Sequence, residues 1–182
     1  MLGLYMVIDH SESVTRAVVT MPTWVPFLPV LAPVYVAMLL MTWLLPVVIR
    51  DLRRFVRCLL ANVVGYLLIM PWWILTPTTL PRPPLPDGAW HDVYRFIVAV
   101  DPPNNIFPCA HGIGPIVVAW FVGWERPAWR WPMAVVVVAG LLSIAVVWQH
   151  RPVDIVLGAG AAVVGIVVGG TVRFSSAASR EA

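Results

Sequence analysis

FVRCLLANVVGYLLIMPWWIL, residues 55–75, is an apolar run close to the ~20 residues that a helix needs to cross a bilayer. Its one charge is Arg57, near its start. Similar runs lie on either side: residues 27–49 before it, and 105–124, 132–149 and 152–172 after it, with Pro115 inside the run 105–124. The expected fold is all-α: a polytopic membrane helix bundle of about five transmembrane helices, with residues 1–182 forming a single integral membrane domain. Composition agrees. The chain is 60% hydrophobic and only 12% charged, with mean hydropathy +0.84. Residues 1–20 are expected to add an N-terminal surface helix, since Met6, Val7, Val14 and Val18 alternate with Asp9, His10, Glu12 and Arg16. They lack a basic segment followed by an apolar core, so no cleavable signal peptide is expected.

All twelve basic residues are arginines, and the net charge of +3 is too small to argue for nucleic acid. The arginines sit where topology signals do. Arg50, Arg53 and Arg54 lie between the first two runs with Arg57 at the start of the second, Arg126 and Arg130 between the third and fourth, and Arg173 and Arg180 after the fifth. Five spans put these groups on one side, which the positive-inside rule makes cytoplasmic. The N-terminus, the loop 76–104, His111, His150 and Asp154 then lie outside. The richness in alanine, valine and arginine suits a bacterial plasma membrane. Of the ten tryptophans, Trp24, Trp72, Trp73, Trp90, Trp124, Trp129, Trp131 and Trp148 lie near span ends and read as interfacial anchors. Gly165-x-x-x-Gly169 suits close helix packing inside the bundle. Pro77, Pro81, Pro83, Pro84 and Pro86 make 77–86 an extended segment. Cys58 and Cys109 suggest no disulfide framework, and no metal-ligand cluster is visible.

Two short stretches carry chemistry: Asn105-Ile106-Phe107-Pro108-Cys109-Ala110-His111, and Ser143-x6-His150-x3-Asp154. Ionisable groups at membrane depth are costly and are functional candidates by default. Asp154, four residues after His150, can orient its imidazole. It is equally suited to the first turn of a helix opened by Pro152, opposite the helix dipole. Ser143 and His150 are about two helical turns apart and can share a face. His111 precedes a helix start, where the amides of Cys109, Ala110, His111 and Gly112 are expected to point outward and attract phosphate. Histidine is a competent nucleophile toward phosphorus, and a phosphoryl group in transfer needs donors and cations around its oxygens. Arg82, Arg95 and Arg151 are the cations on that side.

These stretches resemble the motifs of the type 2 phosphatidic acid phosphatase superfamily of membrane lipid phosphatases and phosphotransferases. Pro108-Cys109-Ala110-His111 stands where the family has Pro-Ser-x-His. Ser143-Ile144-x5-His150-x3-Asp154 stands where it has Ser-Arg-x5-His-x3-Asp. The resemblance covers about residues 63–172. It implies that His150 attacks phosphorus, that Asp154 orients His150, that His111 protonates the leaving alcohol and that Ser143 helps bind phosphate oxygens. Arg82, Arg151, Cys109, Ala110 and Gly112 complete the expected substrate-binding set, with no metal and no cofactor.

The departures are informative. The family's first motif is Lys-x6-Arg-Pro; Arg82-Pro83 supplies its end, but Leu75 stands at the lysine. Ile144 replaces an arginine and Cys109 a serine. The inositol phosphorylceramide synthase-like subgroup is more similar. Its proline-rich segment, its Asp-x-Pro-x-Asn-x-Phe-Pro-Ser-x-His and its Gln-His-x3-Asp find counterparts in Arg82-Pro83-Pro84, Asp101–Pro108 and Gln149-His150. The resemblance implies cleavage or transfer of the phosphate head group of a phospholipid or polyprenyl (di)phosphate through a phosphohistidine, at the extracytoplasmic face. The partners are the bilayer, a membrane lipid phosphate and, for transfer, a lipid or polyol acceptor. The alternative is a catalytically weakened relative that binds lipid phosphate or serves in assembly. A small transporter fits less well, because the chain shows no repeated pair of broken helices.

Overall fold

In a computed structural model, which describes residues 15–85 and 91–173, the apolar runs fold as helices. The first run is helical but not one uniform α-helix. It breaks into a 3₁₀ turn at Pro29–Leu31, helix α1 (Ala32–Leu40), a second 3₁₀ turn at Met41–Leu44 and the single turn α2 (Leu45–Val48). Pro46 explains the break, because it has no N–H for the carbonyl four residues earlier. Helix α3 (Leu52–Leu75) is continuous, and Asp51 caps it by accepting from the Arg54 amide at 2.7 Å.

The segment expected to be an external loop holds a further helix, α4 (His91–Val100). Its Tyr94 and Ile97 are buried while Phe96 and Val100 are exposed, so it lies on the bundle by one face. Helix α5 (Ile113–Glu125) begins eight residues later than the apolar run suggested. Residues 105–112 are spent on a loop. A 3₁₀ turn at Pro127–Trp129 leads into α6 (Arg130–Val146), and Pro152 at the first position opens α7 (Pro152–Thr171). Among the described residues, three helical stretches are long and apolar enough to cross a membrane: Leu52–Leu75, Pro127–Val146 and Pro152–Thr171. Pro29–Leu44 and Ile113–Glu125 are shorter apolar helices.

Helices α3 and α7 pack backbone to backbone. A Cβ at Gly165 would run into the Ala61 carbonyl, and one at Gly169 would meet the Arg57 carbonyl. The Gly165-x-x-x-Gly169 pair therefore serves packing within the bundle, as its spacing suggested. Val117, Phe121 and Val122 of α5 are buried against this pair in one core.

Polar links fix which helix ends lie together. Arg54 at the start of α3 pairs with Glu125 at the end of α5. Arg57 donates to the Val172 carbonyl at 3.0 and 3.2 Å, just past the end of α7. One end of the bundle therefore carries these arginines. The starts of α5 and α7 and the end of α6, with both sequence motifs, lie at the other.

Two expectations change at the motif end. Ala17–Val18 is not helical but forms a strand, β1, paired in parallel with Thr78–Thr79, β2. Residues 1–14, with Met6, Val7 and Val14 of the expected surface helix, lie outside the described residues. Trp73 is not an interfacial anchor. It is buried and donates from Nε1 to the Pro108 carbonyl at 3.1 Å, whereas Trp24, Trp72, Trp124, Trp129 and Trp131 are exposed. Trp90 lies outside the described residues.

Candidate active site

The end of α6 aims the second motif. The Gln149 amide donates to the Ile144 carbonyl at 3.0 Å and the Trp148 amide to the Ala145 carbonyl at 3.1 Å, a Schellman ending. Trp148 takes the left-handed position that such an ending requires, with φ 56°, although it is not glycine. A bulky residue there is strained by roughly 1–2 kcal/mol. The reversal turns the chain inward, so that Gln149 and His150 are buried.

The first motif is held by its own loop. Asn105, at φ 48°, makes a second left-handed turn, one that asparagine tolerates. The Phe107 amide donates to Thr78 Oγ1 at 3.1 Å, and the Cys109 amide donates to the Asp154 carbonyl at 3.0 Å. Gly158 of α7 makes room, since a Cβ there would run into the Cys109 carbonyl oxygen. These contacts bring residues 109–111 against the start of α7.

The two histidines meet. His111 Nδ1 lies 2.8 Å from His150 Nε2, with the ring centroids 4.9 Å apart. Each ring is tethered by its other nitrogen. His111 Nε2 faces Asp101 Oδ2 at 3.1 Å, and His150 Nδ1 faces the Ile106 carbonyl at 2.7 Å. Both partners are acceptors, so both tethered nitrogens carry protons. If both imidazoles were neutral, two lone pairs would point at each other across 2.8 Å. A proton or another cation between them removes that repulsion. The simplest is a proton on His111 Nδ1, donated to the lone pair of His150 Nε2.

Electrostatics favours the charged form of His111. Burial alone would lower the pKa of His111, but the Asp101 carboxylate and its hydrogen bond, with a smaller contribution from Cys109, raise it to about 10. Burial alone would push the Cys109 thiol up, yet the His150 and His111 imidazoles bring it down to about 6. Cys109 Sγ lies 4.0 Å from His111 Nδ1. The ring of Tyr35 from α1 stands edge-on to His111, centroids 5.5 Å apart.

The expected site residues separate into two groups. His111, His150 and Cys109 converge. Arg82 borders them, donating to the Asp101 carbonyl at 3.1 Å and to the Gln149 side chain. Asp154 does not orient His150 by a hydrogen bond in this structure. Its carboxylate accepts from the Arg151 amide at 2.9 Å and from the Arg151 guanidinium at 2.9 and 2.8 Å, a charged cap on α7. The helix-opening position dictates that use. Arg151 is correspondingly engaged, and Ser143 donates to the Gly140 carbonyl at 2.7 Å rather than facing the histidines. Of the amides expected to be free, that of Cys109 is taken by Asp154. Those of Ala110, His111 and Gly112 make no backbone hydrogen bond among the described residues. Arg95 pairs at the surface with Asp92.

Sequence reasoning missed Asp101 as the partner of His111. It missed the Ile106 carbonyl too, which no side-chain pattern encodes. It also saw no metal-ligand cluster, whereas the fold brings Cys109, His111 and His150 to within 4.8 Å of one another by their ligand atoms. The separation of residues 109–111 from residue 150 hid that grouping. Ile144, where the resemblance led one to expect an arginine, is fully buried in an apolar cluster with Tyr35, Met38 and Val147. A guanidinium there would be desolvated. No family model, curated protein or solved structure matches the chain.

Proposed function

We propose that the chain spans a bacterial plasma membrane with its histidine end outside, and that it acts there as a lipid phosphatase or head-group phosphotransferase. The single observation that supports the reading most is the pairing of His111 Nδ1 with His150 Nε2 at 2.8 Å. The Ile106 carbonyl holds the proton of His150 on Nδ1 and leaves the Nε2 lone pair for attack. Asp101 keeps His111 charged and able to donate.

In the first half-reaction a phosphorylated lipid enters between the two rings. His150 Nε2 bonds to phosphorus and the bond from phosphorus to the leaving oxygen breaks. His111 Nδ1 gives its proton to that oxygen. In the second half, neutral His111 takes a proton from water or from an acceptor hydroxyl. The oxygen attacks phosphorus, the P–N bond breaks and His150 is restored. Arg82, the amides before α5 and Gln149 are the donors nearest the transferred group. Gln149 is buried, and its Nε2 has no hydrogen-bond partner among the described residues.

A second reading is a lipid-phosphate binder or assembly subunit without turnover. The engagement of Asp154 by Arg151 and the burial of Ile144 favour it. The test is head-group release by purified protein from phosphatidic acid, polyprenyl phosphates and diphosphates, and phosphoinositides, with and without a polyol or lipid acceptor. Turnover lost in His150→Ala supports the enzyme, and acceptor dependence makes it a transferase. Binding that survives in His150→Ala, with no turnover anywhere in the panel, favours the second reading.

A further inference from the structure

The cation between the facing lone pairs need not be a proton. We propose that Cys109 Sγ, His111 Nδ1 and His150 Nε2 form a binding site for a thiophilic divalent transition-metal ion, zinc by its ligand chemistry, which displaces the shared proton and occupies the attacking atom of His150.

Three features carry this. First, the ligand atoms already converge. Cys109 Sγ to His111 Nδ1 is 4.0 Å and His111 Nδ1 to His150 Nε2 is 2.8 Å. Zinc bonds of about 2.3 Å to sulfur and about 2.0–2.1 Å to nitrogen, in a tetrahedron, place such atoms about 3.6 and about 3.3 Å apart. Shifts of about half an ångström bring these two edges to those values, and the third, from Cys109 Sγ to His150 Nε2, starts within 4.8 Å and closes to about 3.6 Å. Second, the outer contacts are those of metal-bound histidines. Each ring donates its remote N–H to a fixed acceptor, the Asp101 carboxylate for His111 and the Ile106 carbonyl for His150. Such partners set the tautomer and strengthen the ligand. Third, the donor set is selective. One thiolate and two imidazoles suit zinc and its neighbours and not magnesium or calcium, which take oxygen. Three protein ligands leave a fourth position open.

The consequence for turnover rests on the phosphohistidine reading above. A metal on Nε2 uses the lone pair that would attack phosphorus, so metal binding and phosphoryl transfer exclude each other. Metal ligation also gives the buried Cys109 thiol a use that the phosphoryl-transfer steps do not.

Cobalt(II) titrated into chelator-treated protein in detergent tests the site without reference to turnover. The expected result is one equivalent bound, with a thiolate-to-cobalt absorption band in the near ultraviolet and visible bands of tetrahedral intensity. Zinc should abolish both and magnesium should change neither. The thiolate band should vanish in Cys109→Ser and persist in Cys58→Ser. Asp101→Asn, which keeps all three ligands, should weaken binding by about 10–100-fold. Thermal unfolding of each metal-free variant shows whether it is folded. Absence of a thiolate band in folded wild-type protein, or its survival in Cys109→Ser, overturns the proposal. Lipid turnover measured alongside separates the two readings. A cobalt site without turnover in the metal-free protein sinks the phosphatase and leaves the metal site. Turnover indifferent to saturating zinc sinks the exclusion.

Discussion

Asp101→Asn is the substitution that most sharply probes the histidine pair. The carboxylate faces His111 at 3.1 Å, and both side chains are only 14% exposed. At an effective dielectric near 20, opposite charges about 3 Å apart attract by about 5 kcal/mol, some three to four pKa units. Burial opposes this, and the balance leaves His111 at about 10. Asparagine removes the charge and keeps the shape, so His111 should fall by at least about 2 units. Protein labelled with ¹⁵N-histidine, treated with chelator and held in detergent micelles, reports each imidazole by NMR. In the wild type one buried ring should stay doubly protonated through neutral pH and titrate near 10; in Asp101→Asn it should titrate at about 8 or below. A His111 that is neutral at pH 7 in the wild type, or equally basic in both proteins, would refute the reasoning that places a proton between the rings.

Stability against pH carries the same information with opposing signs. The pKa of His111 is raised on folding, so its contribution is complete below about 6.5 and is lost as pH climbs through about 10. Cys109 is lowered from 9.0 to about 6, so its contribution is present above 9.0 and is lost as pH falls through about 6. The two partly cancel between those limits. Cys109→Ser should therefore expose a fall in melting temperature with rising pH that Asp101→Asn lacks. Gly158→Ala should push the Cys109 loop off α7; overpacking of this kind destabilises by typically 1–3 kcal/mol, and the variant should also lose the His–His contact seen by NMR. Trp73→Phe leaves the buried Pro108 carbonyl unpaired at a cost of about 1–3 kcal/mol, measurable by denaturant titration in micelles. Arg151→Ala strands the fully buried Asp154 carboxylate and should destabilise by up to about 3–5 kcal/mol, whereas an unchanged melting temperature would show that the cap matters little.

Long-range apolar periodicity made the helices legible. Residues 55–75 and 152–172 differ from α3 and α7 by only a few residues at their ends. The sequence was less clear where backbone chemistry decides. Pro46 breaks the first run, and the loop before α5 takes up residues that hydropathy assigns to a span. Helix α4 was hidden because Asp92 and Arg95 dilute the apolar positions of a short helix that buries only one face. At the site, the meeting of His111 and His150 could be anticipated from two motifs at the same end of the bundle. Which carboxylate serves which histidine could not. Asp154 is nearer to His150 in sequence, but the helix start claims it. Asp101, ten residues before His111, reaches it because of the turn at Asn105 and the Cys109–Asp154 backbone bond. The left-handed Trp148 leaves no mark in the sequence, since glycine or asparagine is the usual residue there.

The most direct test of the central claim is to trap the covalent intermediate. Chelator-treated protein would be mixed with lipid phosphates carrying ³²P in the head group, drawn from the panel above, and quenched in alkali, which spares phosphohistidine. Label should remain on the wild-type chain, map to the peptide containing His150, be released by mild acid and be absent from His150→Ala. Turnover that persists in His150→Ala, or label on another residue, would contradict the account.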